Sequence, residues 1–223
     1  MQGLFITLEA TEGAGKGTSR GFLDDCFKAS GRMTTLTREP GGTPFAERIR
    51  ELLLAPSDEP VCNETELLLM FGSRMQHIHS VINRYVEMGS VVLCERFTDS
   101  TYAYQHYARG MPKALIDGLV ELLKPPVPDY TFILDIDPEI GMARASARGV
   151  LDRIEQEHID FFHRARNGFL TRAKEDTSGR FRIVDATPPI PEVRKQYLDH
   201  LLNDNLITPE AAALVREKYD VAE

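Results

Sequence analysis

Glu9-Ala10-Thr11-Glu12-Gly13-Ala14-Gly15-Lys16-Gly17-Thr18 follows the apolar run Leu4-Phe5-Ile6-Thr7-Leu8. A buried strand that breaks into small residues and a Gly-Lys pair before a helix reads as a phosphate-binding loop. Small residues let backbone N–H groups converge on a polyanion, the helix N-terminus adds partial positive charge, and the lysine reaches the outer phosphates. Two positions depart from G-x-x-x-x-G-K-[ST]: Ala10 stands at the first glycine, and Gly17 at the magnesium-binding hydroxyl, with Thr18 one place late. A left-handed backbone at Ala10 would cost about 1–2 kcal/mol. The plainer reading of the stretch is a glycine-rich turn between strand and helix.

Outward from this loop, the chain alternates strand and helix. A helix is expected over 18–30, then a strand at 33–37 that stops in Arg38-Glu39-Pro40-Gly41-Gly42-Thr43-Pro44, a rigid loop around an Arg-Glu pair. A short helix over 46–54 and a loop over 55–61 lead to a long helix from 65 to about 88, where Met70, Arg74, His77 and Val81 share a face. An arginine on a mostly apolar face needs an anionic or hydrogen-bonding partner, which points Arg74 toward a ligand, with a buried structural pair as the alternative; His77 reads as a satisfied core histidine. Val91-Val92-Leu93-Cys94 is apolar without alternation, the pattern of a parallel strand buried on both faces, and Glu95-Arg96-Phe97 sits at its ligand-facing end. The segment from Thr98 to Gly110 mixes hydroxyl, amide and aromatic groups and reads as pocket lining rather than core helix.

Further strands are expected at 131–136 and 181–184, with helices over 115–123, 138–148, 161–173 and 191–202, and a charged excursion at 144–157 suited to a closing flap. Thr208-Pro209-Glu210 starts one more helix, over about 208–220, with threonine as N-cap. Five strands alternating with helices predict a parallel α/β sheet covered on both sides, in a single domain over 1–223. The net charge of −8 argues against nucleic acid or an anionic membrane as partner. Cys26, Cys62 and Cys94 fit neither a disulfide framework nor zinc spacing, so reduced thiols and a cytoplasmic location are expected. The start carries no basic, apolar leader, and no run suits a membrane span.

Taken together, Glu12-Gly13-Ala14-Gly15-Lys16, Thr37-Arg38-Glu39-Pro40-Gly41-Gly42-Thr43, Arg74, Glu95-Arg96-Phe97, Ala103-Tyr104-Gln105, Arg109-Gly110 and Asp152-Arg153-Ile154-Glu155 resemble the bacterial thymidylate kinases, P-loop nucleoside monophosphate kinases, along nearly the whole chain. The resemblance implies a five-stranded parallel sheet with a P-loop and a lid, usually as a homodimer, and phosphorylation of dTMP to dTDP with ATP and Mg2+. It implies that residues 10–18 hold ATP, with Lys16, Arg96, Arg148 and Arg153 catalytic. Glu12, Arg38, Glu39, Met70, Arg74, Arg96, Thr101 and Gln105 would meet the acceptor, and Thr18 and Glu95 the metal. Arg148 and Arg153 match the lid arginines of bacterial members whose P-loop lacks a basic residue. Glu95 replaces the usual aspartate, His106 a glycine, and Met70 an aromatic that stacks on the base; the last helix extends past the usual end. His106 is expected to narrow the acceptor pocket or to meet a polar 5-substituent, in a pocket that Met70, Phe71 and the Tyr102 to Tyr107 segment would frame. Two alternatives stay open: a kinase for another or 5-modified pyrimidine deoxynucleotide, and a nucleotide-binding protein without turnover.

Overall fold

The computed structural model describes residues 2–56 and 58–222; Met1, Ser57 of the expected 55–61 loop, and Glu223 lie outside them. Five parallel strands, β1 (Leu4–Glu9), β2 (Thr34–Arg38), β3 (Val91–Glu95), β4 (Tyr130–Asp135) and β5 (Phe181–Asp185), form one sheet in the order β2-β3-β1-β4-β5. The central strands are buried on both faces, as their unbroken apolar runs require. In register, Leu8 and Arg38 both lie opposite Glu95, so the strand ends carrying Glu9, Arg38 and Glu95 emerge along one edge. Crevices at such C-terminal edges are where parallel sheets take ligands.

Helix α1 (Lys16–Ala29) packs Phe22, Leu23, Cys26 and Phe27 onto the sheet. Helix α2 (Pro44–Leu54) starts two residues before the expected position because Thr43 caps it, accepting from the Ala46 N–H at 3.1 Å, with Pro44 in the first turn. Helix α3 (Asn63–His77) runs on through a wide π-helical turn, Ile78–Ile82, into Asn83–Glu87. A second π-helical turn, Tyr102–Ala108, continues the short helix Thr98–Thr101. The segment is therefore helical over 98–108 and does two jobs, one in the core and one the expected pocket lining. Ala103, Tyr104 and Ala108 pack with Phe161, Phe162 and Phe169 in a core cluster, whereas Ser100, Thr101, Tyr104 and Gln105 line the principal cavity. Widened turns recur at functional sites because they re-aim side chains within a helix.

The helix Pro209–Tyr219, capped by Thr208 as expected, lies against α1. Its Ala211, Ala212 and Val215 join the core cluster of α1, the Tyr219 ring meets Phe22 at 5.2 Å, and Lys218 and the Tyr219 hydroxyl both bond Asp25. Among the described residues no helix is long and apolar enough to cross a membrane.

Candidate active site

The loop after β1 turns on Gly13 (φ 67°) and Gly15 (φ 86°), both left-handed. A β-carbon at Gly13 would come within 1.8 Å of the Gly141 carbonyl oxygen, so the close approach of the loop to helix Pro138–Arg148 admits only glycine. Ala10 is absent from the left-handed positions, and the strain expected there does not arise. Lys16 folds over the loop, donating from Nζ to the Thr11 carbonyl at 2.8 Å and the Ala10 carbonyl at 3.4 Å. Burial, then the neighbouring Arg96, lower its pKa to about 8 against the pull of Glu12.

Arg96, just past the end of β3, holds a left-handed backbone (φ 63°), an uncommon conformation for a side chain of this size and one that clusters at functional sites. It donates to Glu12 Oε1 at 2.6 Å and to the Ala10 carbonyl at 2.9 Å, and its guanidinium lies 4.8 Å from the Tyr104 ring centre. Tyr104 donates its hydroxyl to the same Glu12 oxygen at 2.9 Å. Burial raises the Glu12 pKa, but Arg96, Lys16 and Tyr104 prevail and hold it at about 2. Glu12 is thus a fixed anion inside a cationic cluster.

Arg74 is buried and donates to three partners: Glu39 Oε2 (2.7 Å), the Thr101 hydroxyl (2.9 Å) and the Phe97 carbonyl (3.0 Å). A guanidinium has five N–H donors, so two remain for the cavity that Arg74 lines. The other Glu39 oxygen lies 2.9 Å from His77 Nδ1, and His77 Nε2 lies 2.6 Å from the Thr37 hydroxyl. His77 is the satisfied core histidine its position suggests. Glu39 accordingly acts as a buried clamp on Arg74, with both oxygens engaged by protein.

These groups line one cavity of about 580 Å³ that joins Lys16 and Thr18 to Arg38, Glu39, Glu95, Arg96, Met70, Arg74, Thr101 and Gln105. Arg38 is half exposed and paired with Glu47 at 3.0 Å. A second cavity of about 360 Å³ shares Gly13, Gly15 and Thr18 and continues to Arg144, Pro188, Ile190 and Arg194. The Arg144 guanidinium is held by the Ala186 carbonyl at 2.9 Å and the Thr187 carbonyl at 3.0 Å. Glu95 reaches across the first turn of α1: a β-carbon at Gly17 would still stand 3.5 Å from Glu95 Oε1, and Arg20 lies 3.2 Å away. A hydroxyl and a carboxylate beside a phosphate loop fit a hard cation that keeps most of its shell from phosphate and water.

The lid expected at 144–157 is the end of helix Pro138–Arg148 and a tight turn, in which Asp152 accepts from the Ile154 and Glu155 N–H groups at 2.9 Å. Arg148 lines the cavity with its side chain 65% exposed and pairs with Glu155 at 2.6 Å. Arg153 is not among the residues lining that cavity. It bonds Glu66 at 2.5 Å and the Leu53 carbonyl at 2.8 Å, because the buried Glu66 carboxylate draws the nearest cation. His106 does not narrow the cavity either; its Nδ1 lies 2.7 Å from the Met111 carbonyl and its ring rests on Tyr107. Phe71 and Tyr102, expected to frame the base, pack instead with Leu67, Met111 and Ile116.

Two carboxylates escaped the sequence reading. Glu66 receives Gln105, Arg109 and Arg153, partners 39, 43 and 87 residues away. Glu9, fully buried at the end of β1, accepts from the Phe97 N–H at 2.8 Å and the Ser100 hydroxyl at 2.5 Å. Burial and Asp99 raise its pKa from 4.5 to about 7, overriding these bonds. A carboxyl whose pKa is higher folded than unfolded withdraws stability as pH rises between the two values, here on the order of 3 kcal/mol from pH 4.5 to 7. Glu9→Gln should therefore unfold at a higher temperature than wild type at pH 8, with the difference shrinking toward pH 5. Melting curves across that range check it, and a gap that grows on acidification would contradict the assignment.

A phosphate loop between β1 and α1, with cationic side chains converging from the C-terminal edge of a five-stranded parallel sheet, defines a P-loop nucleoside monophosphate kinase. The family model of thymidylate kinase matches residues 8–197. The chain is 53% identical over 203 residues to a thymidylate kinase of Pseudomonas savastanoi pv. phaseolicola, covering 91% of this chain and 96% of the relative. It is 51% identical over 207 residues to one of Pseudomonas syringae pv. tomato, covering 92% and 98%. A crystal structure of thymidylate kinase from Ehrlichia chaffeensis superposes with a TM-score of 0.71 at 30% identity, over 91% of this chain and 99% of that one. The chain belongs to the thymidylate kinase family.

Proposed function

We propose that this chain converts dTMP and ATP to dTDP and ADP, with both substrates meeting at Lys16 and Arg96. The observation that carries the reading is the single cavity that has the phosphate loop at one end and the Arg74, Thr101 and Gln105 cluster at the other. The acceptor base meets Arg74, Thr101 and Gln105, with Met70 over its face; Arg38 and Arg96 hold the acceptor phosphate. The donor triphosphate lies along residues 10–18, and its base enters the second cavity beside the fixed Arg144 guanidinium. An oxygen of the acceptor phosphate attacks the terminal donor phosphorus as the bond to the bridging oxygen breaks, leaving ADP. Such transfers ask the protein for alignment and charge rather than covalent chemistry. Lys16 and Arg148 face the moving phosphoryl group, and the lid excludes water. Arg153 reaches that group only by leaving Glu66; held there, it anchors the lid. Thr18 and Glu95 would hold Mg2+, which would supply charge neutralisation at the donor phosphates. A homodimer and a cytoplasmic location complete the proposal, on the family resemblance and the composition.

A coupled assay over a panel of monophosphates tests it. Best use of dTMP is expected. dUMP should be poorer by about ten-fold or more, the effect of a missing methyl in an apolar pocket, and dAMP and dGMP should barely react. A 5-hydroxymethyl analogue that beats dTMP more than tenfold would replace the thymine assignment with a modified pyrimidine.

A further inference from the structure

Glu66, on α3 and 1% exposed, receives four N–H groups. Oε1 accepts from Gln105 Nε2 at 3.0 Å and Arg109 Nε at 2.7 Å, and Oε2 from Arg109 NH2 at 3.1 Å and Arg153 NH2 at 2.5 Å. A carboxylate offers about four acceptor positions, so these donors saturate it and none remains for a substrate. Although burial opposes ionisation, Arg109, Arg153 and Gln105 lower its pKa, and Glu66 is an anion at neutral pH.

An ionised carboxylate can only accept. The end of the Gln105 amide facing Glu66 must be its NH2, and the end left for the cavity that Gln105 lines is its carbonyl. Position 3 of thymine and uracil carries an N–H, which a carbonyl accepts. Position 3 of cytosine is a bare nitrogen, and a carbonyl opposite it sets two lone pairs against each other. The remaining donors of Arg74 suit the 4-carbonyl of thymine and clash with the 4-amino group of cytosine in the same sense.

We infer that Glu66 is a specificity-determining positioning residue, which locks the Gln105 amide carbonyl-first toward the base and thereby selects thymine over cytosine. The inference rests on the reading that Gln105 meets the acceptor base. The same carboxylate anchors Arg153, so the group that orients the base reader also seats the lid.

The test compares kcat/KM for dTMP and dCMP. In Glu66→Gln the amide at 66 can donate as well as accept, so Gln105 is free to reverse and present NH2 to cytosine. The dTMP:dCMP ratio should fall at least tenfold. Loosening of the lid lowers kcat for both substrates alike and leaves the ratio unmoved, so a general structural defect cannot produce this result. If Glu66→Gln fails to fold with Arg109 stranded, Glu66→Gln/Arg109→Gln removes the surplus cation and carries the same expectation. Gln105→Leu separates the two layers. A collapsed ratio in Gln105→Leu with less than threefold change in the folded Glu66 variant overturns the role of Glu66 while Gln105 remains the base reader. An unchanged ratio in Gln105→Leu removes Gln105 from base recognition and the inference with it.

Discussion

Lys16→Ala is expected to lower kcat by about 10²–10³ while the protein still melts cooperatively, since a charge aimed at a transferring phosphoryl group is worth that much and Lys16 belongs to none of the apolar core clusters. In the structure its ammonium bonds the Thr11 and Ala10 carbonyls and lies 3.8 Å from Glu12, poised at the mouth of the loop. Burial and Arg96 bring its pKa to about 8, so in the ligand-free protein it starts to lose its proton just above neutrality. The wild-type profile of kcat/KM for ATP should therefore fall as pH rises through 8, and Lys16→Ala should lack that limb. Steady-state kinetics from pH 6.5 to 9 check both points. Turnover near wild type in the variant would remove the loop from the mechanism.

Arg96→Ala is expected to damage fold and turnover together. The arginine neutralises Glu12, satisfies the Ala10 carbonyl and covers the Tyr104 ring, so its removal strands a buried carboxylate and costs about 3–5 kcal/mol. With Glu12 held at about 2 in the wild type, this pair contributes stability above pH 4.5 that is lost as pH falls toward 2. The variant should already lack it at neutral pH. Adding Glu12→Gln to Arg96→Ala should restore most of the melting temperature without restoring activity, because Arg38 alone is then left for the acceptor phosphate. Recovery of both would make Arg96 a purely structural partner of Glu12. The experiment is a melting series read beside kcat for the wild type, both single variants and the double variant.

The fold was legible because its signals are local. An apolar run, a Gly-Lys turn and a helical stripe sit within a few residues of one another, and Thr208 caps the helix its sequence announces. The phosphate loop was legible for the same reason. What the sequence concealed is how charges pair at long range. Glu66 and Glu9 look like ordinary acids in a helix and at a strand end, and only the sheet and the second π-helical turn bring Gln105, Ser100 and Phe97 to them. Arg153 matched a lid arginine by motif, yet a motif carries no information about which buried anion lies nearest. Arg74 read as a ligand contact, and the structure adds three protein partners that aim it. His106 illustrates the converse: bulk in place of glycine suggests a narrower pocket, but the backbone carbonyl of Met111, at 2.7 Å, takes the ring aside.

The seat of Pro209–Tyr219 on α1 has a bearing on biosynthesis. The helix behind the phosphate loop is translated before four of the five strands, but the groups that cover Phe22 and bind Asp25 are translated after every strand of the sheet. A nascent polypeptide still tethered to the ribosome short of residue 209 displays the outer flank of α1 to solvent and to any chaperone that recognises aromatic side chains. Nucleotide capture by arrested chains of increasing length should accordingly rise in a single late step, when residues 209–219 clear the exit tunnel, and not gradually as successive strands are added.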